Sequence, residues 1–176
     1  MAGLAFSHVG IWVRDLEAME RFYTRVLGFT VTDRGRLGTV DLVFLSQNPR
    51  EHHEIVLARG RPRELAFNAI NQVSLRVESL AHLRAVYRRV RDEAVAELSP
   101  VTHGNAVSVY FRDPEGNRLE VFLDTPWYTP QPLREPVDLD QADGAIMQAV
   151  EALCRARPGF KTRAEWEAEM RARMRE

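Results

Sequence analysis

The feature that most constrains this chain of 176 residues is an internal repeat. His8–Val26 (HVGIWVRDLEAMERFYTRV) aligns with Gln72–Val90 (QVSLRVESLAHLRAVYRRV) at an offset of 64. Val9/Val73, Val13/Val77, Leu16/Leu80, Tyr23/Tyr87, Arg25/Arg89 and Val26/Val90 are identical. Average residue usage predicts about one match in such a window. Each copy reads as a strand, a capping residue (Asp15 or Ser79) and an amphipathic helix. Gly28 stands where a helix-stopping glycine belongs. Three short β-type runs follow each helix, at 29–34, 38–46 and 54–58, then at 97–101, 106–112 and 117–123. The order βαβββ, twice, departs from the alternation of a doubly wound sheet. It predicts an α+β fold in which two matched units share an antiparallel-rich sheet, with helices on one face.

The composition changes near residue 124. Pro126, Pro130, Pro132 and Pro136 exclude a central strand or helix interior and predict an extended strap. Helical patterns follow at 139–156 and 162–175, parted by Pro158 and Gly159. The tail reads as an appendage lying on the domain or on a partner subunit, and the stripe Leu139, Ile146, Val150, Leu153 is available to a homodimer. The expected division is a domain over 1–128, with modules at 4–60 and 68–124, and an extension over 129–176.

A formal net charge of −1 provides no electrostatic footprint for nucleic acid or an anionic membrane. One cysteine, Cys154, excludes an intrachain disulfide and a Cys-rich zinc site. MAGLAFSHVG lacks a basic n-region and a long apolar run, and no stretch approaches the ~18 apolar residues of a membrane-spanning helix. The expectation is a cytoplasmic, soluble protein that handles a small molecule or another protein.

Strand side chains alternate between faces. Val9, Ile11 and Val13 oppose His8, Gly10 and Trp12; Val73, Leu75 and Val77 oppose Gln72, Ser74 and Arg76. Ile55 and Leu57 oppose Glu54 and Val56; Leu119, Val121 and Leu123 oppose Arg118, Glu120 and Phe122. The aliphatic faces belong against the helices. The other face then carries His8, Glu54, Gln72 and Glu120, two repeat-related pairs. Isolated buried charge is costly, and neighbouring carboxylates repel unless one is protonated or a cation lies between them. An imidazole, two carboxylates and an amide oxygen are ligands for Fe(II), Mn(II), Ni(II) or Zn(II). The competing reading is simple alternation on a half-exposed sheet.

The double βαβββ, the first-strand histidine and the stretch YFRDPEGNRLEVFLDTPWY at 110–128 resemble the vicinal oxygen chelate superfamily. That superfamily includes glyoxalase I, bleomycin-resistance proteins and type I extradiol dioxygenases, and the resemblance is strongest to the dioxygenases. It implies a cupped mixed sheet around a central cavity, and a divalent metal, Fe(II) first. His8 and Glu120 match two of the three metal-ligand positions. The third falls at residue 72, where a glutamine replaces the second histidine. A glyoxalase-type set of one His, one Gln and two Glu would instead draw on His8, Gln72, Glu54 and Glu120. His53, in the pair His52-His53, resembles an active-site acid/base, His103 a further histidine and Tyr110 an active-site tyrosine. The implied activity is ring cleavage of a catechol-like ortho-dihydroxyaromatic with O₂, with Phe6, Trp12, Phe44 and Phe122 as candidate ring-packing residues. The alternatives are a glyoxalase-like metal-dependent isomerase or lyase, and a non-catalytic binder of the bleomycin-resistance type.

Overall fold

The computed structural model describes residues 5–65 and 67–174, which form two compact units. The first unit runs through Asn71 and includes the turn Asp113–Asn117; the second holds Gln72–Arg112 and the residues from Arg118 onward.

In the first unit the order is β1 (Val9–Val13), α1 (Leu16–Arg25), β2 (Thr30–Leu37), β3 (Val40–Ser46) and β4 (Ile55–Arg59). The sheet order is β1-β4-β3-β2, with β1 and β4 parallel and the other pairs antiparallel. Asp15 caps α1 by accepting from Ala18 N at 2.8 Å, satisfying one of the orphan donors of the first turn. Leu16, Met19, Phe22 and Tyr23 turn inward from α1; Ile11, Val13, Val43, Leu45, Ile55 and Leu57 turn inward from the strands. Gly28 ends the helical segment at φ +81°, a conformation that costs glycine nothing.

The second unit repeats the pattern: β5 (Val73–Arg76), α2 (Leu80–Asp92), β6 (Ser99–Thr102), β7 (Ala106–Arg112) and β8 (Arg118–Asp124). The strap contributes β9 (Trp127–Tyr128) and β10 (Glu135–Pro136); α3 (Asp143–Arg155), β11 (Lys161–Thr162) and α4 (Arg163–Arg173) complete the chain. The main sheet has the order β10-β6-β7-β8-β5, and β9 pairs with β11. Pro136 lies in an edge strand, where its missing N–H costs no central ladder bond.

Two sequence expectations need correction. The sheet is not shared: among the described residues each unit closes its own hydrogen-bonded sheet. The tail stripe is not available to a partner, because Leu139, Ile146 and Val150 are buried within the second unit. Arg84 of α2 holds this segment, donating to Leu139 O at 2.7 Å and pairing with Asp143 at 2.7 Å. An apolar stripe read from sequence shows that a face is covered, not by what.

The Asp-Pro-Glu-Gly-Asn turn belongs to the first unit. Asp113 Oδ1 accepts from Glu115 N (3.0 Å) and Asn117 N (2.9 Å), and Oδ2 from Asn117 Nδ2 (2.7 Å) and the buried Tyr23 hydroxyl (3.4 Å). Burial leaves the Asp113 carboxyl above its ordinary range, with the Asn117 and Glu115 donors opposing the shift. Asp113→Ala leaves four donors short of an acceptor. The expected loss is about 2–3 kcal/mol, read as a lower urea midpoint at unchanged m; an unchanged midpoint refutes the role.

Candidate active site

The second unit brings four polar side chains onto one row. Ser74 lies opposite Glu120 across β5–β8, Glu120 opposite Tyr110 across β7–β8, and Tyr110 opposite Ser99 across β6–β7. Directly opposed residues share a face. Leu119 and Val121 take the other face and are buried, which turns Glu120 away from the core. Glu120 is nevertheless only 7% exposed.

Its carboxylate is held by donors. Oε2 accepts from the Ser74 hydroxyl at 2.6 Å and from Gln72 Nε2 at 3.0 Å. A carboxylate only accepts, so Gln72 must present its NH₂ and not its oxygen. The same NH₂ reaches Ser74 Oγ at 3.0 Å. The second carboxylate oxygen, Oε1, lies 3.8 Å from His103 Nε2.

His103 is set from behind. Its Nδ1 is 2.5 Å from the Leu133 carbonyl, which can only accept, so Nδ1 carries the proton. The neutral ring therefore presents a bare Nε2, which accepts from the Tyr110 hydroxyl at 3.0 Å. On protonation, Nε2–H instead faces the Glu120 carboxylate. Burial, and after it Glu120, push the Tyr110 phenol up to about 12; Arg118 opposes the shift. Tyr110 is thus a neutral donor at ordinary pH.

The strap and α3 hold the His103 loop. Gln131 Nε2 donates to His103 O at 2.8 Å, and Thr125 Oγ1 to Gly104 O at 2.6 Å. Gly104 sits at φ +76°, where an added Cβ would meet Thr129 Cγ2 at 2.6 Å and Cys154 Sγ at 2.8 Å. Sequence reading missed this support, because nothing local links residues 103 and 133. Ser74 was within reach of strand alternation from Gln72.

In the first unit the segment before β4 is irregular, and it turns the His53 ring against His8 (centroids 4.3 Å apart) and Phe44 (5.2 Å). His52 Nδ1 lies 2.9 Å from His53 Nδ1. Burial, then the neighbouring His8 and His52, hold the His53 imidazole below the usual histidine range. Glu54 is bonded within its own connection. Its Oε2 accepts from Gln47 N at 2.7 Å and Ser46 Oγ at 3.2 Å, so the carboxylate closes the β3–β4 connection. Among the described residues no group of three or more His, Cys, Asp or Glu side chains is placed to hold a metal ion. No helix among them is long and apolar enough to cross a membrane.

Residues 5–121 match the family described as the Glyoxalase/Bleomycin resistance protein/Dioxygenase superfamily. Biphenyl-2,3-diol 1,2-dioxygenases 3 and 2 of Rhodococcus globerulus are 30% and 27% identical over 123 residues, covering 67% and 68% of this chain. The chain spans about 62% of the length of each. A solved glyoxylase/bleomycin resistance protein/dioxygenase domain from Frankia sp. EAN1pec superposes with a TM-score of 0.60 at 27% identity, covering 71% of this chain and 99% of that one.

The Tyr110 environment makes an optical prediction. Between about pH 9 and 11 an ordinary tyrosine ionises. Wild type and Tyr110→Phe should develop the same phenolate absorbance over that range, because Tyr110 stays neutral. Stability from the neutral phenol is present below its unfolded value and lost as the pH rises toward about 12. A wild-type excess of one phenolate below pH 11 contradicts the assignment.

Proposed function

The chain belongs to the glyoxalase/bleomycin resistance/dioxygenase superfamily, and from that premise we propose that it cleaves the ring of a catechol-like ortho-dihydroxyaromatic with O₂. The observation that carries this reading is the His103–Tyr110–Glu120 cluster, a base hydrogen-bonded to a neutral phenol, with a carboxylate 3.8 Å from the base. The biphenyl-diol dioxygenase relatives support the substrate class.

The residues divide the work by proton state. His103 Nε2, bare because Nδ1 is bonded to Leu133 O, accepts a proton from a substrate hydroxyl. The imidazolium so formed is met by Glu120 and by the carbonyl behind it. Tyr110 passes its hydrogen bond from His103 to a substrate oxygen, and stays a donor because its phenol is held at about 12.

This class of chemistry draws on a divalent ion, with Fe(II) first among the candidates. Glu120, and Gln72 once its amide turns its oxygen forward, would hold that ion from the second unit. Carboxylate and amide oxygens by themselves suit a hard ion such as Mn(II); an imidazole ligand favours Fe(II). When bound, it would lower the pKa of both substrate hydroxyls and relay to O₂ the electrons that the dihydroxyaromatic gives up. A second reading, a non-catalytic small-molecule binder, draws support from the Gln72 and Ser74 bonds that already satisfy Glu120.

Fe(II)-loaded protein should consume O₂ with catechol or 2,3-dihydroxybiphenyl and develop the yellow absorbance of a ring-cleaved product. His103→Ala should lower kcat/KM by about 10²–10⁴-fold, the usual worth of a general base. No uptake from either diol by metal-loaded wild type overturns the dioxygenase reading. Gln72→His should strengthen Fe(II) retention through an added imidazole ligand; unchanged metal content after gel filtration removes residue 72 from the metal shell.

A further inference from the structure

The ring of Tyr110 has a second set of neighbours that the proton chemistry does not use. The Arg118 guanidinium lies 4.5 Å from its centroid and the Arg134 guanidinium 5.5 Å. Both line a cavity of about 380 Å³ in the second unit, with Tyr110, Ser99, Leu98 and Glu97. That volume is in the range of small-ligand sites.

The charges are arranged unequally. Arg112 and Arg118 are directly opposite across β7 and β8, a like-charge pair that costs stability. Arg112 is answered by Glu97, Nε to Oε2 at 2.8 Å. Among the described residues no carboxylate comes within ion-pair distance of Arg118 or Arg134; Arg134 donates only to the Ser99 hydroxyl, at 3.0 Å. Glu97, the one acid on the cavity wall, is thus taken by Arg112, and Glu120 is held by Gln72 and Ser74. Two cations converge on one phenol ring with no anion between them. The cation–π contact steadies each guanidinium and leaves its N–H donors available.

We propose that Arg118 and Arg134 form an anion subsite that binds a carboxylate carried by the aromatic substrate, beside the Tyr110 ring whose hydroxyl meets the reacting end. Arg118 stands two residues before Glu120 on β8, so the two side chains share a face of that strand. A carboxylate matches the planar fork of a guanidinium better than it matches a hydroxyl-lined wall. The substrate class thereby narrows from neutral catechols to dihydroxyaromatic acids. The substrate chemistry rests on the ring-cleavage reading above; the subsite itself is a matter of binding.

The test is calorimetric titration of the full chain with 3,4-dihydroxybenzoate and with catechol. The acid should bind at least about tenfold tighter, the worth of one charge-assisted pair. The ratio should fall toward one in Arg118→Gln/Arg134→Gln, and in wild type as sodium chloride screens the pair. Arg134 is exposed, so Arg134→Gln alone is a variant expected to fold, and it should lose part of the ratio. Equal affinities in wild type, no binding of either compound, or a preference that survives both substitutions overturns the subsite. A carboxylate preference without O₂ uptake keeps the subsite and sinks ring cleavage instead.

Discussion

One hydrogen bond sets the proton arrangement of the polar row on the second sheet: His103 Nδ1 to the carbonyl of Leu133. A carbonyl cannot donate, so the bond decides which ring nitrogen carries the proton and which is bare. The bare nitrogen then decides what Tyr110 does, because its hydroxyl must donate there. Tyr110 in turn stays protonated because it is buried beside Glu120. A three-residue loop, a strap and a strand are thus coupled through one proton position. The strap supplies the Leu133 carbonyl to this cluster and holds the His103 loop through Gln131 and Thr125.

The duplicated module shows how far repeat-related positions diverge once packing is decided. Glu54 directly precedes β4 and Glu120 lies within the corresponding strand β8, yet Glu54 closes a connection with Gln47 and Ser46 while Glu120 faces a cluster of donors. His8 and Gln72 likewise stand one residue before corresponding strands, β1 and β5. His8 packs edge-on to His53 beside Phe44, and Gln72 hydrogen-bonds a carboxylate. Periodicity places both members of each pair on the same face; neighbours supplied by irregular segments assign the work.

Charge follows the same logic. Where a charge only has to be stored, the protein provides a counter-charge, as Glu97 does for Arg112 and Asp143 for Arg84. Arg118 and Arg134 instead rest on a π face, which steadies a cation without using up its donors. Such a group is available to a ligand in a way that a salt-bridged one is not.

The strand and helix order, the alternation that turns Glu120 and Tyr110 away from Leu119 and Val109, and the caps at Asp15 and Ser79 were legible in the residues alone. They depend on interactions within a few positions or on a period of two or 3.6. Separate closure of the two sheets, burial of the Leu139–Val150 stripe, the turning of Glu54 into its own connection and the support of His103 by Leu133 were not. Each depends on which distant segment arrives at a surface, and no local pattern encodes that. The sequence by itself determined a duplicated α+β framework with a polar row on the second sheet. Only the tertiary structure decided which nitrogen of His103 is bare, because the carbonyl that settles it lies thirty residues away along the chain.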